Sequence, residues 1–223
     1  MTLIRSDVLE YHLANPVALA TGLAYFRQPA VNVWGSEPPV AKDLDDIRRS
    51  LDGDGDGYRN IVERHEATVG AMMWKFSRDP VVHKDLVQDV FVEAYRSLHS
   101  FKGKAPFAHW LARIATRVGY KYWRQRARES ETVPLEEWDG ASDLASEPES
   151  LDPEQAGRIL HRFLAELAPR DRLVLTLRYL EDKDVAETAA LTGWTQTMVK
   201  VQAHRAKKKL KALMERRESY DYG

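Results

Sequence analysis

Apolar residues recur every three or four positions along most of this chain, a spacing that predicts helices and not strands. In the first half the clearest runs are residues 58–73, 82–98 and 107–118. In the second half they are residues 159–167, 173–177, 185–190 and 198–213. No segment alternates as a strand does. The pattern therefore predicts an all-α fold.

Breaks in this pattern predict two small helical domains. Residues 1–42 carry several proline and glycine breaks and are interpreted as a loosely ordered extension. We expect a first helical domain at 43–128 and a second at 153–218, with a short tail at 219–223. Residues 129–152 are rich in acid, serine and proline, which predicts a flexible acidic linker.

Two dipeptides mark helix starts in the first domain. Asp79-Pro80 supplies an N-cap followed by proline at the first helical position, and Ala105-Pro106 opens the helix at Phe107 in the same way.

The composition limits the class of protein. The 223 residues have a net charge of −1 and include no cysteine, which excludes disulfides and thiolate metal sites and suits the cytoplasm. There is no apolar run of membrane-spanning length, so no membrane insertion is expected. Because the common catalytic motifs are absent, we expect no enzymatic activity.

Residues 94–128 contain no acidic residue but many cations and aromatic rings. Cations neutralise phosphates, and aromatic rings stack on unpaired bases. The segment is therefore suited to bind nucleic acid with exposed bases. Phe107, Trp110, Leu111, Ile114, Ala115 and Val118 follow a helical stripe and are assigned to the core. The candidates for DNA contact are Phe101, Lys102, Lys104, Arg113, Arg117, Tyr120, Lys121, Tyr122, Trp123 and Arg124.

A second nucleic-acid signal lies at 184–205, which has the layout of a helix-turn-helix: small alanines, Gly193 in the turn and Thr195 as a helix cap. The second helix is expected to enter a major groove. Its candidate DNA contacts are Gln196, Thr197, Lys200, Gln202, His204, Arg205 and Lys208. The alternative is a pair of packed helices with a solvated basic face.

Residues 52–63 fit an EF-hand expression, with Asp52, Asp54, Asp56 and Glu63 as candidate calcium ligands. Such hands usually occur in pairs, and Arg59 stands where an apolar residue is normal. We favour the alternative in which Asp56 and its neighbours cap the following helix. No other cofactor is expected.

Residues 58–216 resemble an extracytoplasmic-function sigma factor of bacterial RNA polymerase. Asp85-Leu-Val-Gln-Asp-Val-Phe91 is similar to the family's docking motif for the clamp helices of the polymerase β′ subunit. The resemblance implies that polymerase is contacted by Asp85, Leu86, Gln88, Asp89 and Phe91. It also implies that the chain directs core polymerase to a subset of promoters and helps to open them.

Three further segments carry the resemblance. Residues 101–115 are similar to the segment that melts the promoter and holds the non-template strand. Residues 167–180 are similar to the helical lead-in that packs on the β flap. Residues 198–206 are similar to the helix that reads the distal promoter element as duplex. An anti-sigma factor is a further partner that the resemblance allows.

Two positions depart from the family pattern. Arg117 stands where asparagine is usual, and Val201-Gln202 stand where Ser-Arg is usual. Because glutamine can pair with adenine, we expect Gln202 to alter the preference for the distal element. The competing interpretation is a free-standing helix-turn-helix regulator, which needs neither the docking motif nor the stacking rings.

Overall fold

The structure is a computed structural model that describes residues 41–132 and 153–220, and within these ranges every regular element is helical. The prediction of an all-α fold is confirmed. The helices of residues 41–132 form an N-terminal unit and those of residues 153–220 a C-terminal unit, and each unit is considered by itself. No described helix is long and apolar enough to cross a membrane. The expected extension, linker and tail fall mostly outside the described residues.

The N-terminal unit is built from four helices and a short 3₁₀ turn. They are α1 (Ala41–Leu51), α2 (Gly55–Met73), α3 (Pro80–Ser97), the turn Leu98–Ser100 and α4 (Phe107–Thr132). Helix α1 was not predicted, although Leu44, Ile47 and Leu51 have helical spacing. Helix α4 continues four residues into the segment assigned to the linker, and the Gln125 amide donates to the Glu129 carboxylate at 3.1 Å there.

Helix α3 begins as the sequence predicts. The Asp79 carboxylate accepts from the backbone N–H of Val81 at 2.8 Å and of Val82 at 3.2 Å, with Pro80 in the first turn. Pro106 stands immediately before α4, and its carbonyl accepts from the N–H of His109 at 3.0 Å.

The calcium-like segment forms the start of α2. Asp54 is its N-cap, accepting from the N–H of Asp56 at 2.9 Å and from the Arg49 guanidinium at 2.6 Å. A Cβ on Gly57 would lie 2.6 Å from the Asp46 carbonyl oxygen, so this glycine permits the close approach of α1 to α2. Glu63 lies on α2, and no cluster of metal-ligating side chains occurs in the described residues. A residue of this segment therefore caps α2, as expected, but the cap is Asp54, whereas the Asp56 carboxylate pairs with Arg59 at 2.6 Å.

A largely buried polar network fastens α1 to α2. The Asp43 carboxylate lies 3.1 Å from His65 Nε2 and also pairs with Arg64. Asp46 accepts from Arg64 at 2.5 Å and from the Asn60 amide at 3.0 Å. Because each carboxylate has several partners, the network can offset the cost of burying charge.

The same partners lower the pKa of both carboxyl groups. Burial acts to raise the pKa of Asp43, but the hydrogen bonds and charges of His65 and Arg64 outweigh it and leave that pKa below its usual range. The hydrogen bond from Asn60 is the main cause of the lowered pKa of Asp46, and Arg64 adds to it against burial.

The loop between α2 and α3 is seated on α4 through Phe76. The Phe76 ring lies where a Cβ on Gly119 would be, 2.2 Å from its nearest atom. One turn later, Trp123 Nε1 donates to the Phe76 carbonyl at 2.9 Å, and the two rings pack with centroids 4.6 Å apart. Trp123 is only 4% exposed. The prediction that its ring contacts unpaired bases is therefore wrong, because the face it would offer is covered.

The C-terminal unit is assembled around one long helix. Its elements are α5 (Pro153–Glu166), α6 (Pro169–Leu175), a π-helical turn (Thr176–Leu180), α7 (Val185–Thr192) and α8 (Gln196–Tyr220). Leu164 and Val174 pack with Val199, Ala206 and Leu210 of α8 in a single core cluster. The small alanine allows α8 to approach its neighbours closely.

Replacing Trp123 by alanine is expected to lower the free energy of unfolding by about 3–5 kcal/mol, because a large side chain and its buried hydrogen bond are lost. Denaturant titration followed by circular dichroism measures this loss. Lys121→Ala, an exposed change on the same helix, serves as the control and is expected within about 0.5 kcal/mol of the unaltered protein. Similar stability for both variants would contradict the packing described for Trp123.

The stability of the N-terminal unit is expected to fall in acid through Asp43 and Asp46. Their folded pKa values lie below the ordinary 3.8, so the network contributes fully above about pH 5, and its contribution is lost progressively as the pH falls through 3.8 and then through the folded values. Unfolding free energies from pH 6 to pH 2 should decline less in Asp43→Asn than in the unaltered protein. Asp45→Asn, exposed on the same helix, should keep the original profile.

Candidate nucleic-acid and protein interfaces

One face of α4 is a row of exposed cations. Arg113, Arg117, Lys121 and Arg124 are all exposed, and spacings of three or four residues place them on one side of the helix. The opposite side is buried at Leu111 and neighbouring apolar positions. The predicted cations are therefore brought together on a surface that can follow a phosphate backbone.

The aromatic candidates are distributed differently from the prediction. Tyr120 is half-buried beside the cationic row, whereas Tyr122, also half-buried, lies about 180° round the helix from Arg113. Trp110 was assigned to the core, but it is half-buried and lies two turns before Arg117 on the same side. Its spacing of seven residues from Arg117 is the sequence signal that identifies it.

Phe101 joins Trp110 at the start of this row. Their ring centroids are 5.6 Å apart, and Phe101 also packs edge-on against the buried Phe107 at 5.3 Å. The turn that follows exposes Lys102 and Lys104 around Gly103, whose φ of +65° favours glycine. Cations and partly exposed rings are thus adjacent, an arrangement able to bind phosphates and stack on bases.

The helix-turn-helix layout is confirmed between α7 and α8. Asp184 caps α7 by accepting from the N–H of Glu187 at 2.7 Å, and the Asp184 N–H in turn donates to the Glu187 carboxylate at 2.7 Å. Gly193 has a φ of +75° in the turn. Thr195 caps α8, with its hydroxyl oxygen accepting from the N–H of Met198 at 3.2 Å.

The outward face of α8 contains most of the predicted contacts. The exposed members of the predicted set are Gln196, Thr197, Lys200, His204, Arg205 and Lys208. Gln196, Thr197 and Lys200 occupy the first two turns of the second helix, the part that approaches base edges in such motifs, and the other three follow in the next two turns.

Gln202 does not belong to this face. Its amide donates to the Asp171 carboxylate at 2.5 Å, and Lys209 pairs with the other carboxylate oxygen at 2.6 Å. Asp171 is only 1% exposed, so this contact lies at the junction of α6 and α8. The expectation that Gln202 pairs with a base is therefore wrong, because its amide already serves a buried carboxylate.

Helix α3 presents Asp85, Gln88 and Asp89 to solvent, as a docking surface requires. Leu86 and Phe91 are 4% and 7% exposed, so the expectation that their side chains face a partner is wrong. These two residues anchor α3 in the core.

Apolar side chains missed by the prediction extend the exposed surface of α3. Val92 and Tyr95 are exposed, at i+4 and i+7 from Gln88, and they border an open groove between α2 and α3. Tyr58 also lines this groove and donates its hydroxyl to the Phe91 carbonyl, and burial raises the pKa of Tyr58. The sequence signal for these residues is their helical spacing from Gln88 within the apolar run of residues 82–98.

The two units match two family models. Residues 61–129 match the model described as Sigma-70 region 2, and residues 157–210 match Sigma-70, region 4. The ECF RNA polymerase sigma-E factor of Escherichia coli (strain K12) is 28% identical over 169 residues, which is 72% of this chain and 88% of the relative.

Two further proteins extend this comparison. The RNA polymerase sigma-E factor of Streptomyces avermitilis is 33% identical over 140 residues, 63% of this chain and 75% of the relative. A solved structure of the sigma factor RpoE with the anti-sigma factor NepR from Bartonella quintana has a TM-score of 0.46 at 21% identity, covering 71% of this chain and 96% of that one.

Asp171→Ala is expected to lower the unfolding free energy of the C-terminal unit by about 1.5–3 kcal/mol, the range for hydrogen bonds to a charged group. The loss arises because Gln202 and Lys209 lose their shared acceptor. Thermal unfolding measures it. Lys200→Ala, which changes an exposed side chain of α8, is the matched control and should leave the melting temperature almost unchanged. Equal melting temperatures would contradict a stabilising role for Asp171.

Proposed function

Since the chain belongs to the extracytoplasmic-function sigma factors of bacterial RNA polymerase, we propose how its surfaces divide the work of promoter recognition. The N-terminal unit would bind core polymerase through α3 and melted DNA through α4. The C-terminal unit would hold the distal promoter element through α8. No catalytic step is assigned to the chain.

The observation that carries this division is that one compact unit exposes two chemically different faces. Helix α3 exposes Asp85, Gln88 and Asp89, and α4 exposes the cationic row with Trp110 beside it. A regulator that binds only duplex DNA would use α8 alone. The first unit would then have no need for a carboxylate and amide surface in addition to a cationic one.

For polymerase docking we assign Asp85, Gln88 and Asp89, with the clamp helices of the β′ subunit as their partner. Val92 and Tyr95 extend this surface with apolar area, the usual composition of a protein interface that also carries polar groups. The C-terminal unit would contact the β flap through the region around α6. These subunit assignments follow the family resemblance of residues 85–91 and 167–180.

For promoter opening we assign the cationic row of α4 to the phosphates of the non-template strand. Phe101, Trp110 and Tyr120 are the partly exposed rings beside that row and are assigned to flipped or unstacked bases. Tyr122 lies on another side of α4, so any DNA contact that it makes is separate from this row.

The distal element would be bound by the outward face of α8. Gln196, Thr197 and Lys200 are placed to reach base edges, while Arg205 and Lys208 suit phosphates. The cytoplasm is the expected location because core polymerase works there, and an anti-sigma factor is a proposed partner.

Polymerase binding tests this proposal most directly. Fluorescence anisotropy of the labelled protein with bacterial core RNA polymerase should show tight binding that weakens at least about tenfold in the double variant Asp85→Ala, Gln88→Ala. The control is Asp45→Ala, Asp52→Ala, which removes two exposed carboxylates of the same unit outside α3 and so changes the net charge more than the α3 variant does. Circular dichroism spectra of all three proteins confirm that each is folded.

Two outcomes would count against the proposal. Equal weakening in the control would mean that general charge, and not the α3 surface, governs binding. Unchanged affinity of the α3 variant would remove this surface from the polymerase interface. Repeating the titration on a variant lacking residues 1–40 separates a missing interface from one covered by that segment.

A further inference from the structure

Val201 is an apolar residue on the outward side of α8, with 44% of its surface exposed. Val199, two residues earlier and about 200° round the helix, is fully buried in the core. Val201 therefore lies nearly opposite the surface by which α8 packs on its own unit.

The neighbours of Val201 on that side are polar. Thr197 lies one turn earlier and His204 one turn later, and both are exposed. Val201 is the sixth residue of α8, within the first two turns that reach base edges in helix-turn-helix motifs. An exposed valine in a helix lowers helix propensity relative to alanine or lysine. Helix propensity therefore does not explain why valine occupies this position.

The next residue does not compete for the same contact. The Gln202 amide is bound to the buried Asp171 carboxylate, which turns it toward α6. In this turn of α8 the outward side chains are those of Lys200 and Val201. Lys200 carries a charge and three donors, whereas Val201 offers only methyl groups.

The chemistry of the major groove decides what a valine can discriminate. Hydrogen-bond donors and acceptors distinguish most base edges, but thymine alone presents a methyl group there. A valine side chain forms no hydrogen bond with a base edge. It contributes binding free energy only by burying an apolar group of the base.

We propose that Val201 reads a thymine of the distal promoter element by packing against its 5-methyl group. This inference rests on the proposed placement of α8 in the major groove. It assigns a sequence preference to this chain at the position where the family pattern has serine.

Uracil tests the contact because it lacks only the methyl group of thymine. Holoenzyme assembled with bacterial core RNA polymerase is first used to select a distal element from a random duplex library. Each thymine of that element is then replaced by deoxyuridine, one at a time. At one position the unaltered holoenzyme should bind the uracil duplex about fourfold more weakly, the factor expected for one buried methyl group.

The Val201→Ala holoenzyme should bind the thymine duplex more weakly and should bind the thymine and uracil duplexes with nearly equal affinity. Loss of the affinity difference would show that the valine and the methyl group interact directly. Lys208→Ala is the control: it should weaken binding to both duplexes equally, because a phosphate contact carries no base information. Alanine favours helix more than valine, so folding of the variant is retained.

Three results would overturn the inference. Val201→Ala could keep the original discrimination at every thymine, the unaltered holoenzyme could ignore every thymine-to-uracil change, or the selected element could contain no thymine. Each would mean that Val201 is an ordinary surface valine. Failure to enrich any distal sequence would instead contradict the placement of α8 in the groove, and the valine contact with it.

Discussion

The contact between Phe76 and α4 determines which side of that helix faces solvent. The Phe76 ring occupies the space left by Gly119, and the Trp123 indole donates to the Phe76 carbonyl one turn further on. These two contacts set the rotation of α4 about its axis. Because one side of α4 is fixed in the core, Arg113 and Arg117 on the other side face solvent. The cationic face is therefore a consequence of core packing.

Helix α8 is oriented by a different device. The Asp171 carboxylate is buried, and a buried charge is tolerated only when partners satisfy it. Gln202 and Lys209 supply those partners from α8, at 2.5 and 2.6 Å. Because Gln202 and Lys209 are held against α6, Thr197 and Val201 lie on the side of α8 that faces solvent. In both units the surface that we propose for DNA binding is oriented by residues that lie outside that surface.

The N-terminal unit also extends beyond the part that matches the sigma family. The match to region 2 begins at residue 61, whereas α1 covers Ala41–Leu51. Asp43 and Asp46 fasten α1 to α2 through Arg64, and Gly57 permits the close contact between the two helices. A motif that resembles a calcium loop is thus used for capping and close packing. The acidic residues serve the fold of this chain.

The sequence by itself determined the all-α class, two helical units and the sigma family, because helical periodicity, capping residues and motif spacing are local properties. It could not decide between Trp110 and Trp123, since α4 carries two apolar stripes and only contact with Phe76 shows which is covered. Nor could it separate Val201 from Gln202, adjacent residues of one polar helix. A buried carboxylate far away in the chain, Asp171, decided which of them faces outward. Tertiary structure settled these choices because burial depends on partners that are distant in sequence.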